Sequence, residues 1–375
     1  MPISKTALVL LSLLLVATCM LAQTPGSSTI SSPQPSPSPI TGPAVATRPA
    51  EKPAPNVNLH VPPPQRPRVR RVAMIEIPGR PGFKGVAMVK DFLVMAHPAA
   101  DTVDVFNLRK RRLVTRVNDM KGASGIAVDE AGGLLFVANS DANQIAVIST
   151  EDWKLERTIA LKASPDELLF VPQLHALYAS NWRDQSISAI DLRQDSTVHT
   201  AAVEGRPKYL VFDPANQQIF ATLEDAREVI VLDTRLKVVK RYPLVASQPT
   251  GLVLDAKSRR LYVAVRYAVL ALDADTGQEL RRVAAPAGID MLWLDQAGNN
   301  LYGGSSDGTI AAMRTTGASL SADSEFKTDV HGHTFAFDAA KKLIYFPGGS
   351  EGRSKLLILR QIEPNAGASP ELATK

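Results

Sequence analysis

The sequence predicts an all-β fold: a seven-bladed β-propeller of four-stranded antiparallel blades, its ring closed by an N-terminal strand that completes the last blade. Three observations predict it. A short apolar strand, often ending in Asp, recurs seven times at spacings of 40 to 43 residues. Each recurrence is followed by a second strand, usually with an aromatic at its centre, then by an alternating third strand and a more polar fourth. Turn residues such as Asp275-Thr276-Gly277 and Asp129-Glu130-Ala131-Gly132-Gly133 separate the strands. A fixed period of this length, with four strands in each unit, is the pattern of a propeller blade.

In chain order, the first strands begin at Gly85, Gly125, Glu167, Tyr209, Gly251, Met291 and Thr334. They are apolar because the innermost strand of a blade lies between two neighbours. The second strands centre on Phe136, Tyr178, Phe220, Tyr262, Tyr302 and Tyr345, with Val94 in the first unit. Third strands such as Val229-Ile230-Val231-Leu232-Asp233 alternate, and fourth strands such as Glu279-Leu280-Arg281-Arg282-Val283 have the amphipathic character of a rim. The seventh unit ends at Leu356-Leu357-Ile358-Leu359 without a fourth strand. Arg71–Pro78, ahead of the first unit, is a rim strand without a blade. The two are expected to pair.

Outside the repeats the composition changes. Residues 1–22 have a short positive n-region, an apolar run from Ala7 to Ala17 and a small-residue end at Ala22-Gln23, the pattern of a secretory signal. That apolar run is shorter than the roughly 20 residues a membrane-spanning helix needs. Cleavage after Ala22 would release an exported protein, periplasmic or extracellular. The alternative is a lipoprotein: Val16-Ala17-Thr18-Cys19 is close to a lipobox and would anchor the chain through Cys19. Cys19 is the only cysteine, so the propeller carries no disulfide. Residues 23–68 are rich in Pro, Ser and Thr and are expected to form an extended linker. The propeller is assigned to 69–362 and a flexible tail to 363–375.

The net charge is +5, and Arg66, Arg68, Arg70 and Arg71 at the entrance to the domain supply much of it. Nucleic-acid binding requires cations gathered on a folded face together with stacking aromatics. At 6% aromatic content the basic stretch is better taken as a solvated arm, and nucleic acid is not the expected partner.

The second strands Leu135-Phe136-Val137-Ala138-Asn139-Ser140 and Leu261-Tyr262-Val263-Ala264 resemble the signature of the YVTN-repeat propellers, the bacterial YncE-like family. Pro207–Asp213, Leu223-Glu224-Asp225 and Pro249–Asp255 are similar to it as well. The resemblance covers roughly residues 70–360. It implies export and seven blades but says little about ligand. Related propellers serve in nucleic-acid binding, at cell surfaces or beside redox enzymes, so function transfers weakly with the fold.

Repeat register also places the candidate site. Lys84, Ser124, Asp166, Lys208, Thr250, Asp290 and His333 each immediately precede a first strand and should form one ring at the funnel mouth. His97, Asn139 and Asn181 end second strands, and Arg183, Glu224 and Arg266 lie in the adjoining loops. Loops are polar for solvation alone. Here, however, the strand positions repeat while the funnel positions differ from blade to blade, which points to an asymmetric pocket. Lys84, His97, Asn139, Asp166, Asn181, Arg183, Lys208, Glu224, Arg266, Asp290 and His333 are therefore the expected ligand-binding set. Lys208, Arg183 and Arg266 suit an anionic ligand.

His331-Gly332-His333 puts two imidazoles on one strand face, but no third ligand stands at motif spacing, so no metal site is assigned. Nucleophile-elbow, zincin and phosphate-loop motifs do not occur, and no cofactor is expected. The expected function is a monomeric binding module for a small molecule or a protein. The alternatives are a funnel-site enzyme of lactonase or lyase type, with Asp166 and His333 as acid–base candidates, or a pure protein–protein scaffold.

Overall fold

A computed structural model of the chain describes residues 69–362, apart from 195–196 and 317–318. The signal, linker, Cys19 and tail assignments lie outside the described residues. Seven four-stranded antiparallel sheets follow one another, and six of them are built from consecutive strands. The third blade is typical: Glu167–Val171, Ala176–Asn181, Ser186–Asp191 and Thr197–Ala202 pair in that order.

The seventh blade departs from sequence order, in the way the unpaired rim strand predicts. Its strands Ala336–Asp338, Leu343–Ser350 and Arg353–Gln361 are completed by Val69–Ile77. The register runs from Val69 opposite Gln361 to Ile77 opposite Ser354, with one irregularity between Arg71 and Ala73. Val69 and Ile77 are each 1% exposed, so both ends of the strand are anchored in the core. At the same end of the blade, the chain enters at Val69 and leaves at Gln361. That is the face opposite the second-to-third-strand hairpins.

Core packing explains the monotony of the repeats. The central aromatics Phe136, Tyr178, Phe220, Tyr262, Tyr302 and Tyr345 are all buried. Several reach the next blade. Phe136 packs on Phe170, with ring centroids 5.5 Å apart, and Tyr302 on Phe337 at 5.7 Å. Tyr178 donates its hydroxyl to the Thr234 carbonyl at 3.0 Å. A four-stranded sheet leaves both faces bare, and these contacts cover each face with its neighbour.

At the axis the blades meet backbone to backbone. Gly125 N–H donates to the Asp166 carbonyl at 2.6 Å and Gly85 N–H to the Ser124 carbonyl at 3.0 Å. A Cβ on Gly125 would sit 2.5 Å from that same Asp166 oxygen. Gly125→Ala should therefore push blades two and three apart. A loss of about 2–4 kcal/mol by denaturant unfolding is expected, on the scale of overpacking a tight site; an unchanged midpoint would refute the close approach.

Candidate funnel site

The ring predicted by register forms, and its members contact one another across blades. Lys84 Nζ lies 2.9 Å from Asp166 Oδ1 and 3.4 Å from Ser124 Oγ. Ser124 Oγ donates to the same Asp166 oxygen at 2.7 Å. On the other side of the ring, His333 Nδ1 is 2.6 Å from Asp290 Oδ2. Thr250 closes on the backbone instead, donating to the Ile289 carbonyl at 2.6 Å.

These contacts hold the ring charges in place. Burial alone would raise the Asp166 carboxyl, but Lys84 and Lys208, with the Ser124 hydroxyl, outweigh it and keep the group below its ordinary value. Asp290 is likewise held down, against burial, by the His333 hydrogen bond and by Lys208. Lys208 is the converse case. Burial disfavours its charge, yet the attraction of Asp290, Asp166, Glu167 and Glu224 raises its affinity for the proton. Even so, Lys208 makes no direct ion pair within 4.0 Å with another described residue, so its three N–H donors face the funnel uncommitted.

Beside Lys208 is a cavity of about 190 Å³ lined by Lys84, Ser140, Ser164, Asp166, Trp182, Arg183 and Lys208. Trp182 forms a wall, fixed by its indole N–H to Glu224 Oε2 at 2.7 Å and by the Arg206 guanidinium 4.5 Å above the ring. Arg183 at the rim pairs with Asp141 at 2.9 Å, with both side chains more than half exposed, so that pair is weakly held. A larger groove of about 620 Å³ lies between blades three and four, away from the funnel. It opens where Ala189 stands at the register position that holds Val231 in blade four. Its lining is largely apolar, and Arg193 there is already clamped by two bonds to Asp191. The polar, uncommitted chemistry is in the funnel.

Three residues of the expected set are removed from the funnel surface, because His97, Asn139 and Asn181 are fully buried. Second-strand ends point into the blades. Asn181 Nδ2 donates to Ser186 Oγ and Ser188 Oγ, and Asn139 Nδ2 to Met120 Sδ at 3.5 Å. His97 is enclosed by Asp104 Oδ2 at 3.1 Å on Nδ1, the Arg80 carbonyl at 2.6 Å on Nε2 and the Phe83 ring. Both ring nitrogens face acceptors, so His97 is a structural tie between blade one and the segment that leads in from the closing strand. Lys84, Asp166, Lys208 and Arg183 line the cavity, Glu224 holds its wall residue Trp182, and Asp290 pairs with His333 of the adjacent blade. Arg266 is exposed and does not line the cavity; its guanidinium lies 5.4 Å over the Tyr267 ring.

One axial residue escaped the sequence reading. Glu167 follows Asp166 and stands where Gly85, Gly125 and Gly251 stand in other blades. Burial, together with the Asp166 charge, raises its carboxyl to about 8 against the partial offset of Lys208 and Lys84. The neighbouring axial residue Tyr209 is raised well above its ordinary value by burial and by the same carboxylates. The signal was available in the register, as a carboxylate and a phenol at a position that three other blades fill with glycine.

The fold and this site define a class, the seven-bladed β-propeller with a polar funnel. No family model matches the chain, and no curated protein matches it. Among solved structures, one chain of a mitotic checkpoint complex crystal structure is similar, with TM-score 0.68 and 14% identity, covering 82% of this chain and 98% of that one. Virginiamycin B lyase from Staphylococcus aureus is similar as well, with TM-score 0.65 and 13% identity over 78% of this chain and 100% of the lyase. At such identities the likeness is one of fold.

Proposed function

We propose that the chain is an exported binding module of the YVTN-repeat type that takes a small polar ligand, carrying at least one anionic group, into the funnel cavity. The observation that carries this reading is Lys208, held charged by surrounding carboxylates yet free of a direct ion pair, at a cavity walled by Trp182. A cavity of about 190 Å³ suits a molecule the size of an amino acid or a monosaccharide. Export, whether to the periplasm or the exterior or by a lipid anchor at Cys19, rests on the N-terminal pattern described above. Native mass spectrometry of the protein purified from its own source tests the module: wild type should carry a bound mass that Lys208→Ala loses, and no bound mass in either would overturn the reading.

Glu167 adds a pH signature. Its folded carboxyl titrates near 8 against an ordinary value of 4.5. A raised acid binds its proton more tightly when folded, so its effect on stability is absent below about 4.5. The penalty for ionising it then grows until the pH passes about 8. Glu167→Gln should therefore gain melting temperature relative to wild type between pH 5 and pH 8. A pH-independent difference would refute the assignment.

A second reading is a funnel-site enzyme, favoured by the His333–Asp290 pair. A carboxylate on Nδ1 orients an imidazole whose Nε2 can accept a proton, the arrangement of a general base. In this reading Asp290, not Asp166, is the partner of His333, because Asp166 is already bound by Lys84 and Ser124. Turnover lost in His333→Ala would support it. A ligand bound unchanged by both proteins would exclude it.

A further inference from the structure

The two most exposed large apolar side chains of the described domain are neighbours on the funnel face, and the cavity explains neither. Val245 is 87% and Tyr267 60% exposed. They stand at the edge shared by blades four and five, on segments tied together by backbone bonds. Leu244 N–H donates to the Arg227 carbonyl at 2.8 Å, and Arg266 N–H to the Ser247 carbonyl at 2.9 Å. Tyr267 occupies the left-handed region, at φ +63°, in the two-residue turn Arg266-Tyr267. That conformation disfavours a bulky aromatic and suits Gly or Asn. Trp153 shares the conformation, but its ring packs on Phe92 at 5.3 Å. Among the described residues, the Tyr267 ring makes no ring–ring contact and carries the Arg266 guanidinium at 5.4 Å. A strained turn thus displays an aromatic that stands mostly clear of the domain.

The charge around the pair is of one sign. Arg227 and Arg266 are exposed and make no ion pair within 4.0 Å with another described residue. The nearby carboxylates are engaged elsewhere: Glu228 holds Arg241 at 2.5 Å, Asp225 accepts the Arg206 N–H at 2.7 Å, and Glu224 holds Trp182. Aromatic and arginine side chains together are the usual anchors of protein interfaces. We propose that Val245, Tyr267, Arg266 and Arg227 form the docking point for a protein segment that presents a Leu- or Val-sized side chain flanked by Asp or Glu. The chain's own ends are poor occupants, since both leave the domain on the opposite face at Val69 and Gln361. The segment before Val69 is moreover basic at Arg66 and Arg68. This inference stands independently of the small-ligand cavity.

Selection of a displayed random dodecapeptide library on the whole protein tests it. The expected result is enrichment of peptides with an apolar residue between acidic ones. Their affinity should fall about tenfold or more in Tyr267→Ser and in the double variant Arg227→Gln/Arg266→Gln, weaken with added salt, and persist in Lys208→Ala. Arg227, Arg266 and Tyr267 are exposed, and unchanged melting curves of all the variants would confirm intact folding. Failure to enrich, binding indifferent to Tyr267→Ser, or binding lost only in Lys208→Ala would overturn the proposal. A concentration-dependent dimer in sedimentation, abolished by Tyr267→Ser, would assign the patch to a second copy and also overturn it.

Discussion

Removing residues 69–78 is expected to lower the melting temperature by more than about 10 °C. The closing strand inserts Val69 and Ile77 fully into the core and pairs with Ser354–Gln361 of the neighbouring strand. Burial of two such side chains contributes about 3–6 kcal/mol, and in a domain of this size each kilocalorie is worth about 2–4 °C. The hydrogen bonds of the strand add to this. Deletion would also leave Arg353–Gln361 as a bare edge, with Leu356, Leu357 and Ile358 newly uncovered, so aggregation should accompany the loss. Differential scanning calorimetry of the truncated and full chains decides it. A melting curve unchanged by the deletion would mean that the ring does not depend on this strand.

The second large effect is expected at Asp104. This carboxylate is fully buried and accepts from Thr102 Oγ1 at 2.7 Å, Arg116 Nε at 3.1 Å and His97 Nδ1 at 3.1 Å. Arg116 also reaches the Pro78 carbonyl, so the cluster links the end of the closing strand to blade one. Asp104→Ala would leave buried donors, some of them charged, without their acceptor, at a cost of about 3–5 kcal/mol. Asp104→Asn, which keeps one acceptor oxygen, should cost less. Burial pushes the Asp104 carboxyl up, but the hydrogen bonds from His97, Thr102 and Arg116 outweigh it and hold the group below its ordinary 3.8. A depressed carboxyl stabilises the fold above that value and loses its contribution as the pH falls through the folded one. Wild type should therefore lose stability below about pH 3.8 more steeply than Asp104→Ala. Parallel acid-unfolding curves would contradict this account.

Much of the architecture was legible because a propeller is built by repetition. The spacing of Gly125, Glu167, Tyr209 and Gly251 counts the blades, and a seventh unit lacking a rim strand calls for the orphan strand ahead of the first. The funnel ring followed from the same register: Lys84, Asp166 and Lys208 come from three different blades, separated by tens of residues. Less legible were the ends of the second strands. His97, Asn139 and Asn181 are polar residues beside turns, a pattern that indicates exposure as readily as burial. Only the packing of neighbouring loops shows that they are covered.

From the sequence alone come the all-β class and the seven blades, because both depend on periodic placement of apolar side chains. The tertiary structure decided which funnel charges cancel and which stay free. Lys84 closes on Asp166, His333 on Asp290, and Lys208 on neither. It also decided that Glu167 keeps its proton near neutrality and that Tyr267 stands uncovered. Charge pairing, desolvation and exposure depend on distances across blades, and the repeat period does not encode those distances.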